Sequence, residues 1–119
     1  MNRPSLEEYL LDVAKVVSRR STCPDMQVGC VIATVDGYIL ATGYNGSPKG
    51  WDHCREYNGK CMDNNIDHAV VHAEANAIAM AARQGISLNG SIAYITYKPC
   101  LKCQMLLVQA GIMKMEIAI

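Results

Sequence analysis

The sequence contains no phenylalanine and a single tryptophan. Aromatic packing cannot dominate its core, which must rest on Val, Ile, Leu, Met and Ala. Excess charge is missing too: Lys+Arg and Asp+Glu both number 11, leaving a net charge near zero. A protein built to hold long nucleic acid normally carries a basic excess or stripe, so that class is disfavoured. No apolar run is long enough to cross a bilayer, and residues 1–20 lack the apolar core of a signal peptide. The expected setting is the cytoplasm, with no membrane partner. Neither internal repeats nor a linker of shifted composition interrupts the chain. Its 119 residues suffice for one compact domain and not for two, so a single domain over 1–119 is expected.

Cysteine breaks this pattern of scarcity. Six in so short a chain is a high count. In an exported protein they would imply disulfides. Without an export signal, reduced thiols are expected, and metal binding is the leading explanation.

Local signals divide the chain. "PSLEEYLLDVAKVVSRR" opens with Ser5 as N-cap and Glu8 at the third helical position, a capping box. Leu6, Leu10, Val13 and Val17 then recur at helical spacing, which predicts a helix ending near Arg20. "MQVGCVIATV" and "YILATGY" read as strands joined by Asp36-Gly37, a strong hairpin signal. Cys30 lies in phase with Val28 and Ile32 and reads as a small core residue. Residues 45–68 are polar and rich in Gly and Asn. Loops of that length are uncommon in compact domains and usually functional or tied down. A second helix is predicted over about 69–84, with Gly85 as its C-cap. "GSIAYITY" is a third strand, "CLKCQMLLVQAG" a third helix closed by Gly111, and "MKMEIAI" a fourth strand. The order is αββαβαβ. Its second half should make right-handed parallel connections, with helices covering the sheet faces.

Two helix starts carry the chemistry. His72-Ala73-Glu74 opens one and Pro99-Cys100-Leu101-Lys102-Cys103 the next. Cysteines three apart share a helix face and can direct two sulfurs at one metal. The helix dipole and free N–H groups there favour thiolate. One imidazole completes three protein ligands, and three ligands with an open position is the pattern of a catalytic zinc. Glu74 lies about 200° around a helix from His72. It is therefore better placed to handle a proton on water, whose pKa zinc lowers to around 7, than to ligate. Taken singly, each feature has a plainer reading. Cys-x-x-Cys serves structural zinc knuckles and redox pairs, a histidine is often a satisfied core or surface residue, and Glu74 suits any helix N-terminus. Their joint occurrence, each at a helix start, favours the catalytic reading.

H-x-E followed by P-C-x-x-C is the signature of zinc nucleobase deaminases. The chain resembles the deoxycytidylate (dCMP) deaminase branch of that family over nearly its whole length. "QVGCVIATVDGYILATGYNGSPKG" resembles its first hairpin and substrate loop, and "HAEANAI" and "YKPCLKCQMLLVQAGI" resemble its two zinc motifs. Relatives usually continue past the fourth strand with a further helix and strand, whereas this sequence runs only to Ile119. The resemblance implies a three-layer, cytidine-deaminase-like α/β fold, with a mixed sheet of at least four strands flanked by helices. It implies zinc on His72, Cys100 and Cys103, and hydrolysis of dCMP to dUMP and ammonia, feeding thymidylate synthesis. Activated water attacks C4 of cytosine. Glu74 takes its proton, delivers it to N3 and helps protonate the departing amine. The Ala73 N–H contacts the base carbonyl and Asn45 the deoxyribose 3′-hydroxyl, although Asn45-Gly46 alone would read as a turn. The sequence leaves the phosphate contact open among Arg20, Lys49 and Arg55. Members often form homohexamers and respond to dCTP, with Mg2+, and to dTTP. Lys49, in the Ser47-Pro48-Lys49 loop, and Arg83 are candidates for that regulation, though Arg83 could equally cap its helix.

Some dCMP deaminases carry a second, structural zinc, and Cys23 and Cys54 match two of its positions. Cys61 and His68 are the expected remaining ligands, with His53 as rival to His68, in a closed tetrahedral site. Free surface thiols are the plainer reading. Competing functions are a deaminase of dCTP, free cytidine, tRNA adenosine or another base, a non-catalytic zinc-stabilised interaction module, and a thiol–disulfide protein. His72 in place of a cysteine disfavours the usual free-cytidine type, and balanced charge disfavours tRNA. An interaction module leaves Glu74 without a task, and a redox pair leaves both His72 and Glu74 unexplained.

Overall fold

A computed structural model of the chain describes residues 2–23, 26–51 and 70–118. Its elements follow the predicted order: α1 (Leu6–Ser18), β1 (Gly29–Ala33), β2 (Ile39–Tyr44), α2 (Ala73–Gln84), β3 (Ile92–Ile95), α3 (Leu101–Gln109) and β4 (Lys114–Ile117). The capping box forms. Ser5 Oγ accepts the Glu8 N–H at 3.1 Å, and the Ser5 N–H reaches Glu8 Oε1 at 3.4 Å. Among the described residues no helix is long and apolar enough to cross a membrane.

The hairpin turns where Asp36-Gly37 predicts. Gly37 has φ of 95°, a value that favours glycine. Thr34 Oγ1 donates to Asp36 Oδ1 at 2.6 Å and accepts the Tyr38 N–H at 3.0 Å, locking the turn. β1 and β2 pair antiparallel, with a register shift after Ile32. β1 also pairs antiparallel with β3, and β3 pairs parallel with β4, giving a mixed sheet of order β2-β1-β3-β4.

β1 lies inside the sheet with both faces covered, so all five of its residues are buried. Alternation then sorts them by layer. Val31 and Ala33, with Ile92 and Tyr94 of β3, pack against Leu10 and Ala14 of α1. Cys30 and Ile32, with Ala41, Ala93 and Ile95, pack against the alanines of α2 and Leu107 of α3. The result is a three-layer α/β arrangement with a core of aliphatic and small residues, as the absence of Phe requires. Cys30 is fully buried, as its phase predicts.

α2 lies very close to the sheet. Ala73, Ala77 and Ala81 recur every fourth residue and present one small buried face. Opposite them, a Cβ on Gly43 would stand 2.3 Å from Ala73 O and 2.4 Å from Ala77 N. Only glycine fits between β2 and the first turns of this helix. Gly43→Ala is expected to destabilise the fold by about 3 kcal/mol, the upper end for core overpacking. Chemical denaturation measures this, and an unchanged unfolding midpoint would contradict the close approach.

Candidate functional site

Sequence periodicity places His72 inside a helix starting near residue 69. In the structure α2 starts at Ala73, and His72 is its N-cap, with φ −70° and ψ 155°. The cause is a bridge just upstream: Val71 donates to Gly46 O at 2.8 Å and accepts the Gly46 N–H at 3.1 Å. That pairing keeps the backbone extended up to the cap. The imidazole is thereby released from helical periodicity and turns away from the helix body.

Cys100 occupies the matching position, the extended N-cap of α3, and Cys103 is the third residue of that helix. Both sulfurs stand 3.5 Å from His72 Nδ1. The three candidate donor atoms lie within 4.8 Å of one another. Zinc bonds of about 2.3 Å to sulfur and 2.05 Å to nitrogen give a tetrahedral S···N edge of about 3.6 Å. Donor chemistry and spacing therefore fit zinc, with a fourth position left for another ligand.

Glu74 is buried beside this triangle, with 3% of its surface exposed. Burial pushes its carboxyl above the usual carboxylate range, against the opposing pull of its backbone N–H, His72 and Cys103. Burial also acts on Cys103, and with the Glu74 charge it pushes the thiol up to about 12. At the exposed Cys100, burial works in the same sense but is outweighed by the Cys103 N–H, the Cys103 side chain and His72. Its thiol is lowered. A bound dication would reverse the Cys103 shift, because it favours the thiolate directly.

Beside these groups lies a cavity of about 280 Å³. His72, Ala73, Glu74 and Cys100 line it together with Asn45. The Asn45 amide is largely committed: its oxygen accepts the Val28 N–H at 2.9 Å, and its nitrogen donates to Met26 O at 2.8 Å. One N–H and one lone pair remain for a ligand. Sequence reasoning missed Tyr97 and Lys98, which also line this cavity. No local signal in the sequence marks either as a cavity residue.

The remaining candidates separate. Lys49 and Arg83 line a second cleft of about 800 Å³. Thr22 and Ser47 line the same cleft, and their buried hydroxyls have no hydrogen-bond partner among the described residues. Arg20 lines neither cavity. Cys23 is buried, lines the smaller cavity and is disulfide-bonded. This departs from the expectation of reduced thiols throughout: a sulfur held beside a second sulfur can oxidise as readily as share a metal. Arg55, Cys54, Cys61, His68 and His53 lie outside the described residues.

The family described as the cytidine and deoxycytidylate deaminase zinc-binding region matches residues 4–119. The chain belongs to this family. It is 37% identical over 114 residues to ComE operon protein 2 of Bacillus subtilis, covering 94% of this chain and 58% of the relative. It is 36% identical over 119 residues to the deoxycytidylate deaminase of Schizosaccharomyces pombe, covering 92% of this chain. The chain thus spans 58% and 36% of the lengths of these two curated relatives. Among solved structures it is similar to the dCMP deaminase of cyanophage S-TIM5 in complex with dCMP and dUMP. The TM-score is 0.82 at 33% identity, covering 98% of this chain and 83% of that one. The three-layer fold expected from sequence is that of the family.

Removing one corner of the donor triangle should release its metal. Elemental analysis of reduced, purified protein is expected to show roughly one equivalent less zinc per chain in Cys100→Ser or His72→Ala. Undiminished zinc in both variants would contradict this ligand set.

Proposed function

We propose that this protein hydrolyses dCMP to dUMP and ammonia, with zinc held by His72, Cys100 and Cys103. The observation that carries the reading is the buried carboxyl of Glu74, opening onto one cavity with His72 and Cys100 of the donor triangle. Family membership and the cyanophage complex with dCMP and dUMP support the choice of substrate. When bound, zinc supplies a water acidified to a pKa near 7. Glu74 accepts that water's proton and passes it to N3 of the ring as C4 is attacked. It then takes the proton of the new C4 hydroxyl and gives it to the exocyclic amine, the C4–N bond breaks, and ammonia leaves as the carbonyl forms. A raised carboxyl pKa suits a group that both takes and gives a proton. The Ala73 N–H, at the first helical position, holds the base carbonyl. The uncommitted N–H and lone pair of Asn45 meet the 3′-hydroxyl.

The same reading assigns the larger cleft to dCTP, with Mg2+, and dTTP. Lys49 and Arg83 supply cations there, and Thr22 and Ser47 supply hydroxyls unpaired among the described residues. It takes residues 1–119 as one domain, assembled as a homohexamer in the cytoplasm. It also includes a structural zinc on Cys23, Cys54, Cys61 and His68. Cys23 is buried and ligates only as a thiolate, so this site forms once its disulfide is reduced.

Ammonia release from a panel of dCMP, dCTP, deoxycytidine and cytidine tests the activity. dCMP should give the highest kcat/KM, and Glu74→Gln should lower kcat by roughly 10²- to 10⁴-fold while zinc is retained. Normal turnover by the glutamine variant, or equal kcat/KM for deoxycytidine and dCMP, would overturn the reading. For the structural metal, reduced wild-type protein should hold about two equivalents of zinc, and Cys61→Ser about one. A single equivalent in saturated wild type would remove the second site and leave the catalytic assignment standing.

A further inference from the structure

We infer that Lys98 takes the 5′-phosphate of the substrate and so sets the preference for nucleotide over nucleoside; this rests on the proposed deamination of dCMP. Among the described residues lining the catalytic cavity, Lys98 is the only lysine or arginine. Of the cations that sequence reasoning weighed for this contact, Lys49 lines the other cleft, Arg20 lines neither, and Arg55 lies outside the described residues.

Size and charge together place the phosphate at Lys98. The cavity, at about 280 Å³, lies near the lower end of small-ligand sites, about 300 Å³. The reacting ring must reach the donor triangle, so ring and sugar take up the interior. At that end Glu74 is buried and lines the same interior. A phosphate turned inward would meet like charge and lose its hydration without a partner. Turned outward it meets Lys98, which is exposed. Lys98 makes no ion pair among the described residues, so no resident carboxylate competes for it. Its position beyond the end of β3 and two residues before Cys100 anchors it to the same backbone that carries a donor of the triangle. A lysine there acts as a mobile point charge on a four-carbon stem, suited to a phosphate that enters and leaves with each turnover.

The test compares zinc-loaded wild type with Lys98→Gln and Lys98→Arg. For each, kcat/KM is measured for dCMP and deoxycytidine, and affinity by calorimetry for dUMP and deoxyuridine. Lys98→Gln should shrink the dCMP-to-deoxycytidine ratio of kcat/KM by roughly 10- to 100-fold, the worth of one hydrogen bond to a charged group. The dUMP-to-deoxyuridine affinity ratio should shrink in parallel, and Lys98→Arg should keep most of both. Lys98→Met, which keeps the length and removes the charge, repeats the comparison if the glutamine variant folds poorly. Ratios unchanged in the uncharged variants would overturn the inference. Absence of ammonia release from dCMP by wild type would overturn the proposed activity instead, and the dUMP and deoxyuridine affinities would still decide the role of Lys98.

Discussion

Two backbone hydrogen bonds between Gly46 and Val71 decide where the second helix begins. They hold the chain extended up to residue 71, so His72 becomes a cap instead of a helical residue. Its carbonyl then accepts the first helical N–H, from Asn76 at 2.9 Å. The Asn76 side chain in turn donates to Tyr44 O at 2.7 Å, tying the first turn back to the end of β2. Gly43 brings helix and strand into near contact one residue earlier. The imidazole therefore stands on backbone constraints supplied by residues 43–46, and its place needs no support from a long flexible side chain. Sites carried on such rigid elements hold their geometry more closely than sites on loops.

Cys100 repeats the device at the start of α3, and two helix N-termini converge on one small volume. Their exposed N–H groups and dipoles favour negative charge there. Yet the two thiols shift in opposite directions, because burial outweighs that field at Cys103 and does not at the exposed Cys100. Two thiols so poised release protons as they take up a dication, which couples metal affinity to pH. A metal held by these donors would also join α2 to α3, so part of its binding energy would act as folding energy.

Much of this was legible in sequence. The capping box, the Asp36-Gly37 turn, the burial of Cys30 and the order of all seven elements follow from local signals. So does the grouping of His72 with Cys100 and Cys103, because each motif sits at a helix start. The exact start of α2 was not legible: it depends on Gly46, which is distant in sequence, and helical periodicity alone carries through Val71. Lys98 was equally hidden. No local pattern marks a lysine before a proline as part of a cavity; only the position of α3 against α2 does. The near-complete commitment of the Asn45 amide to the backbone of Met26 and Val28 also needed coordinates, since Asn-Gly reads first as a turn.

Asn45 carries the last link between fold and site. Its side chain fixes residues 26–28 as they enter β1, and its own carbonyl accepts the Ser21 hydroxyl at 2.7 Å. Ser21 also accepts the Cys23 N–H at 3.2 Å, so the segment after α1 hangs on the same point. Asn45 faces the smaller cavity, while Tyr44, Gly46 and Ser47 on either side of it face the larger cleft. One stretch of backbone is thus the common wall of both cavities and, through the Gly46–Val71 bridge, the support of His72. A side chain at position 46 would press on Thr22, whose Oγ1 lies 2.6 Å from where its Cβ would stand. Glycine at 46 lets the wall stay thin enough to serve both cavities at once.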